Sequence, residues 1–223
     1  MRYCIQSEDE ETLFGPARGC AEFDQRVLSL DGAGSDREPS RSDELLYVLE
    51  GEGSATVGDE QIALRPGTAL FVAAGQEWRI DAAGGLELLS VLVHDPLPSG
   101  SVRHASVGLG DVEADEATAG RMFRLLAPCA SATQFVGYIP TGRAPDHYHR
   151  YDEVVYVLEG DGALHIDGES APLHAGTCIH LPKTLVHSLE NHGPGEMLVL
   201  GVFRPAGSPA EAYYVDGTPA YQY

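Results

Sequence analysis

Basic residues are scarce in this chain. Its 223 residues hold 34 acidic side chains and 14 basic ones, a formal net charge of −20. Thirteen of the fourteen are Arg, and Lys183 is the sole lysine. A surface so poor in cations cannot neutralise phosphate, which excludes nucleic acid and anionic membranes as partners. Chemistry built on an amine nucleophile has almost no candidate. Long apolar runs are also lacking: none approaches the ~18 residues a membrane helix needs. The opening MRYCIQSEDEE turns acidic at once and is not a signal peptide. Cysteine is sparse. Cys4, Cys20, Cys129 and Cys178 form no CxxC, and such scattered thiols point to a reduced, cytoplasmic protein rather than a disulfide framework. Helix signals are few as well, with Ala114–Leu126 the one plausible helix.

What the chain does have is an internal repeat. Asp43–Trp78 lies on Asp152–His187 at a constant offset of 109 without a gap, and 12 of these 36 positions are identical. DELLYVLEGEG matches DEVVYVLEGDG, and RPGTALFV matches HAGTCIHL. Two long copies mean a duplicated domain rather than a solenoid. Apolar, β-branched runs such as Leu45–Glu50 and Val154–Glu159 end at Gly51-Glu52-Gly53 and Gly160-Asp161-Gly162. Return strands follow at Ser54–Val57 and Ala163–Ile166, and Thr68–Val72 and Thr177–Leu181 are further strands entered through glycine. Short strands separated by glycine turns define an all-β barrel or sandwich. The expected organisation is a first barrel over 1–93, a linker over 94–120 rich in Pro and Gly at its start, a second barrel over 121–207, and a tyrosine-rich tail over 208–223.

The second copy concentrates the chemistry. Within GRAPDHYHRYDEVVYVLEG, His147 and His149 stand two apart, and alternate strand residues share a face. Glu153 follows, and LPKTLVHSLEN adds His187. Three imidazoles and a carboxylate suit Fe(II), Mn(II), Ni(II), Zn(II) or Cu(II), and offer nothing soft for Cu(I).

The pattern GX4HXHX3EX6G, followed by Gly176, Pro182, His187 and Asn191, resembles the two signature motifs of the cupin superfamily. The repeat extends the resemblance to the first copy, so the chain looks like a bicupin: two antiparallel double-stranded β-helix (jelly-roll) barrels in tandem. The resemblance implies one divalent transition metal (Fe, Mn, Ni or Zn) held by His147, His149, Glu153 and His187, with positions left for water, substrate or dioxygen. In the first copy the same offset puts Glu38, Ser40 and Trp78 where the second has histidines, and only Glu44 survives, matching Glu153. A carboxylate site from Glu38 and Glu44 would lack a third ligand, so the first barrel is read as a structural half in which Trp78 fills the interior. It could stabilise a homodimer, the expected assembly.

Substrate contacts are expected from Gln134, Tyr138, His180 and Arg143, with His180 and Tyr138 as catalytic candidates. His180 replaces Phe71 of the first copy, and Gln134 and Tyr138 share one face of the strand leading into the HXH motif. Tyr151 and Tyr156 are weaker candidates, the latter repeated as Tyr47. His165, His174 and His192 are assigned to solvent and Cys178 to an inert thiol. Asp152, repeated as Asp43, is expected to be structural. The expected partner is a small organic molecule. The resemblance implies a metal-dependent dioxygenase-type oxidoreductase first, a non-redox isomerase, decarboxylase or aminohydrolase second, and a non-catalytic ligand-binding module third.

Overall fold

The computed structural model describes residues 1–7, 12–32 and 34–220. Acidic residues 8–11 and the tail's Tyr221 and Tyr223 lie outside the described residues. The described chain is almost wholly antiparallel β-structure, with short 3-10 turns such as Pro16–Arg18 and Leu109–Asp111 and no α-helix. No helix is long and apolar enough to cross a membrane.

Two compact units emerge. One contains Glu11–Val112 with Leu126–Ser131, the other Met1–Glu10, Glu113–Leu125 and Ala132–Tyr223. The first three residues of regular strand, Cys4–Gln6, therefore pair with Thr177–Leu181 of the second unit rather than joining the first barrel. The stretch expected as linker supplies a strand to the first unit: His104–Gly108 pairs with Thr68–Val72. The expected helix at Ala114–Leu126 is absent. Asp115–Glu116 and Met122–Leu125 form a hairpin instead, turned through Ala119 and Gly120, both at positive φ. Met122–Leu125 then pairs with Thr133–Ile139, so sheet pairing overrides the local helical pattern.

In the first unit, Asp43–Val57 is one long strand rather than the two expected. It runs through Gly51–Gly53 with register shifts instead of turning there, against the equally long Trp78–Val93. In the second unit the same segment does break, into Asp152–Glu159 and Gly162–Ile166, and its partner divides into Ser188–Asn191 and Met197–Arg204. The sheet order there is Cys4–Gln6, Thr177–Leu181, Asp152–Glu159, Met197–Arg204, Thr133–Ile139, Met122–Leu125, Asp115–Glu116. A second sheet runs Gly142–Arg143, Ser188–Asn191, Gly162–Ile166, Glu169–Leu173. Gly67 and Gly176, equivalent by the repeat, both hold φ +86 at the turn into the next strand.

Alternation decides what faces inward. From Asp152–Glu159, Val155 and Val157 enter a core with Ile179, Leu181, Leu164 and Val199, all at most 4% exposed. Nearer the start of that strand, Tyr151 joins an aromatic cluster with Phe123, Phe135 and Phe203. The second barrel thus has an aliphatic floor and an aromatic zone above it. The first barrel is closed by its own core, in which Trp78 is 6% exposed beside Leu46, Val72 and Ile80.

Gly162 permits a close approach: a Cβ there would stand 2.0 Å from the Glu190 carbonyl oxygen, a backbone atom that cannot move aside. Gly195 has nothing within 4 Å. Chemical denaturation is expected to show Gly162→Ala destabilised by more than about 2 kcal/mol and Gly195→Ala by less than about 1 kcal/mol.

Candidate metal centre

His147 and His187 are locked opposite each other by two backbone hydrogen bonds, His147 N to His187 O (3.0 Å) and His187 N to His147 O (2.9 Å). Their rings lie with centroids 4.6 Å apart. The His149 ring stands 5.0 Å from that of His147 and 5.2 Å from that of His187. One ring nitrogen from each falls within 4.8 Å of the others, and this is the single such group of potential metal ligands among the described residues.

The other nitrogen of each ring is spoken for. Nδ1 of His147 meets the Pro145 carbonyl at 2.8 Å, Nδ1 of His187 the Leu185 carbonyl at 2.9 Å, and Nδ1 of His149 the Glu211 carbonyl at 2.9 Å. A carbonyl oxygen only accepts, so each Nδ1 must carry the proton and donate it. In the neutral ring this leaves the Nε2 lone pair unprotonated. Burial keeps the rings neutral. It pushes the His149 pKa down to about 3, helped by His147 and, more weakly, Arg121, and drives that of His187 well below its ordinary value. His147 is lowered as well, again mainly by burial. Three convergent, neutral nitrogen donors with oriented lone pairs fit a divalent transition metal ion.

Glu153 lines the same pocket, 4% exposed, with Oε1 close over Gly201, where an added Cβ would meet it at 2.9 Å. It stands outside the three-nitrogen group. Loss of hydration raises its carboxyl to a pKa of about 8. The pocket has a cavity volume of about 80 Å³ and is walled by Met122, Phe123, Phe135, Leu181 and Val199.

Of the expected substrate residues, Tyr138 is among those lining this pocket. Gln134, His180 and Arg143 are not brought to it. Gln134 is buried on the side of its strand opposite Phe135 and Gly137. His180 likewise alternates with the inward Ile179 and Leu181; its Nε2 lies 3.5 Å from Asp152, and Tyr3 covers its backbone. Arg143 pairs with Asp146 (2.7 Å) and Ser188 (2.9 Å) at an adjoining depression that Arg121 and Ile139 also line. His174 and His192 are exposed and His165 is half-buried against Glu190 at 2.8 Å. Cys178 is buried, and burial raises its thiol far above the usual range.

The sequence undervalued Tyr151. Its ring stacks between His149 (4.6 Å) and Phe203 (3.9 Å). The signal was the period of two: His147, His149, Tyr151, Glu153 and Val155 all line the pocket. The tail also reaches the site, which its tyrosines alone do not announce. Tyr213–Tyr214 pairs with His147–Tyr148, Tyr213 stacks on Tyr148 at 5.6 Å with the Arg150 guanidinium 4.1 Å over its ring, and Pro209 and Ala212 close the pocket wall. Arg121 lines the pocket too, with no sequence motif to announce it.

In the first unit the equivalent carboxylate is already paired. Glu44 accepts hydrogen bonds from Ser90 Oγ (2.6 Å) and Arg37 Nη2 (3.2 Å), the Arg37 guanidinium stands 5.6 Å from the Trp78 ring, and Glu38 is exposed. Asp43 is structural, accepting from the Ala74 N–H (2.9 Å) and Ser131 Oγ (3.0 Å).

Fold and site together define a β-barrel protein with one histidine-rich centre in a duplicated frame. The cupin domain family matches residues 30–92 and again 134–203, and the chain belongs to that family. Among curated proteins it is similar to the polyketide synthase CurC of Streptomyces cyaneus, 29% identical over 121 residues, spanning 52% of this chain and 79% of that one. It is also similar to quercetin 2,3-dioxygenase of Bacillus subtilis, 32% identical over 132 residues, spanning 52% of this chain but only 38% of the dioxygenase. Among solved structures, protein Ylba from E. coli superposes with a TM-score of 0.76 at 14% identity, covering 91% of this chain and 90% of that one. Oxalate decarboxylase of Bacillus subtilis, a protein with Mn(II) centres, gives 0.72 at 14%, covering 96% and 79%. These two likenesses show the tandem barrel fold.

Two outcomes are expected. Since the Glu153 carboxyl holds its proton up to about pH 8 while burial favours the neutral form of the imidazoles, a divalent ion taken up at about pH 7.5 should displace a proton chiefly from Glu153. Calorimetry in buffers of different ionisation enthalpy should give release of about one proton, lost in Glu153→Gln, and affinity that rises with pH up to about 8. Tyr213→Ala, which frees the tail strand and with it the Glu211 carbonyl, should weaken metal retention by about tenfold or more in a chelator competition.

Proposed function

We propose that the second barrel holds one divalent transition metal ion (Fe, Mn, Ni or Zn) on His147, His149 and His187, with Glu153 swinging in as fourth ligand, and that the protein is a metal-dependent enzyme acting on a small organic molecule, foremost as a dioxygenase-type oxidoreductase. The observation that carries this is the set of three Nδ1–H bonds to carbonyls, which leaves three Nε2 lone pairs converging beside an aromatic pocket. Bound there, such an ion supplies redox or Lewis-acid chemistry. The chain's own residues do the rest. Phe123, Phe135 and Tyr151 exclude water and offer flat apolar walls to a planar substrate. The Tyr151 ring, held by Phe203, fixes the plane of His149. The names of two relatives, a quercetin dioxygenase and a polyketide synthase, support an oxygen-rich organic substrate that can chelate through neighbouring oxygens.

A second, non-redox reading has its own support. Glu153 stands outside the three-nitrogen group with a pKa of about 8, the poise of a general acid or base near neutral pH. An isomerase, decarboxylase or aminohydrolase could use that proton without dioxygen. His180, away from the pocket, is no longer a candidate for this role.

Elemental analysis of protein purified without oxygen tests the centre. Wild type should carry about one ion per chain and His147→Ala less than about a tenth of that. Equal content in both would refute the site. An oxygen electrode with chelating phenols, diketones and hydroxy acids then separates the readings: turnover with oxygen uptake supports the dioxygenase, and undiminished turnover without oxygen the alternative.

A further inference from the structure

We infer that the Arg121 guanidinium is the anchor for a carboxylate of the molecule that enters the second barrel's pocket, an anionic subsite beside the three histidines. This deepens the metal-centre reading above and rests on it for the position of the rest of the substrate.

Arg121 follows the turn at Ala119 and Gly120, fixed by Arg121 N to Thr118 O (3.2 Å) and Ala117 N to Arg121 O (2.8 Å), and enters the strand Met122–Leu125. The hairpin carries it to the pocket, which it lines together with all three histidines and Glu153. It lies close enough for its charge to act on each imidazole. Among the described residues it has no ion pair, although the chain has more than twice as many carboxylates as cations. Four other arginines have one: Arg26 with Asp24, Arg37 with Glu44, Arg79 with Asp36 and Asp81, Arg143 with Asp146. Arg121 is also substantially desolvated, which works against its charged form. A cation partly withdrawn from water without a counter-charge is destabilised, and an arriving anion would offset that cost.

The surrounding chemistry narrows the ligand. The histidines offer no N–H to an anion, because each Nδ1–H is committed to a backbone carbonyl. Arg121 is therefore the pocket's one cationic donor among its described lining residues. The planar guanidinium matches a carboxylate with two parallel hydrogen bonds. Phe123, Phe135 and Met122 receive an aryl or alkyl body. A dication on the histidines and the guanidinium repel each other, and a carboxylate between or beside them offsets that repulsion. The substrate class is thus an organic acid with a separate pair of chelating oxygens.

The probes are 3,4-dihydroxybenzoate and 3,4-dihydroxybenzamide, nearly equal in shape and both able to chelate through the ring hydroxyls. Calorimetric titration of metal-loaded wild type should favour the acid by about tenfold or more. Arg121→Met should abolish that preference while still binding the amide, and Arg121→Lys should keep part of it. The same titrations on chelator-stripped wild type isolate the guanidinium, and the acid should still be preferred there. Equal affinity for acid and amide in wild type, or a preference unchanged in Arg121→Met, overturns the proposal. Elemental analysis of the metal-loaded sample reports on the metal reading separately: a wild type that retains no ion after loading yet still prefers the acid overturns the centre and leaves the subsite standing.

Discussion

Three hydrogen bonds from imidazole Nδ1 to backbone carbonyls set the chemistry of the second barrel. Each removes a choice, because the carbonyl dictates which nitrogen bears the proton and hence which way the lone pair points. Two are made locally, to the carbonyl two residues before His147 and before His187, so the strand geometry that presents each ring also orients it. The third is made by Glu211, 62 residues beyond His149. One ligand's orientation therefore depends on the tail being folded onto the HXH strand through Tyr148, Arg150 and Tyr213. Burial adds to this by suppressing protonation, so that neutral donors are the ground state of the site rather than a response to metal.

Duplication shows how little of the fold needs that site. At the same offset, the first barrel satisfies its buried carboxylate internally, Glu44 being held by Ser90 and Arg37, with Trp78 packed where the second barrel has His187. Its aliphatic core is otherwise built as in the second, from alternate residues of the matching strands. The barrel is stabilised by apolar burial. The histidine centre is not what holds the barrel together, since the first barrel forms the same kind of aliphatic core without it.

The sequence announced the repeat, the barrel class and the histidine cluster because each has a short-range signature: a constant offset, a period of two, a fixed spacing. It misjudged what depends on long-range pairing. Ala114–Leu126 carries a helical pattern, but its neighbour Thr133–Ile139 offers a ladder of hydrogen bonds, and the segment becomes a hairpin. His180 carries a polar residue where the first copy has Phe71, and a substitution of that kind suggests function. Strand alternation sets it on the face opposite Leu181, however, away from the residues that line the pocket. Register, not residue type, decides which face meets the pocket, and a one-residue difference is enough to exclude it. Arg121 was invisible for the converse reason. It has no motif, and only the hairpin brings it beside the histidines.

That hairpin also changes what the net charge means. A chain at −20 would, taken as a point charge, repel an anionic molecule. Charges on the surface are screened over about 8 Å at physiological ionic strength, whereas charges inside a desolvated pocket are screened far less. What an incoming molecule meets at the end of its path is not the average surface but one guanidinium, three neutral rings, a carboxyl that keeps its proton near neutrality, and aromatic walls. An acidic exterior of this net charge would repel polyanions such as nucleic acid. The interior of the second barrel is electrostatically distinct from it, and a carboxylate that entered there would meet one positive charge.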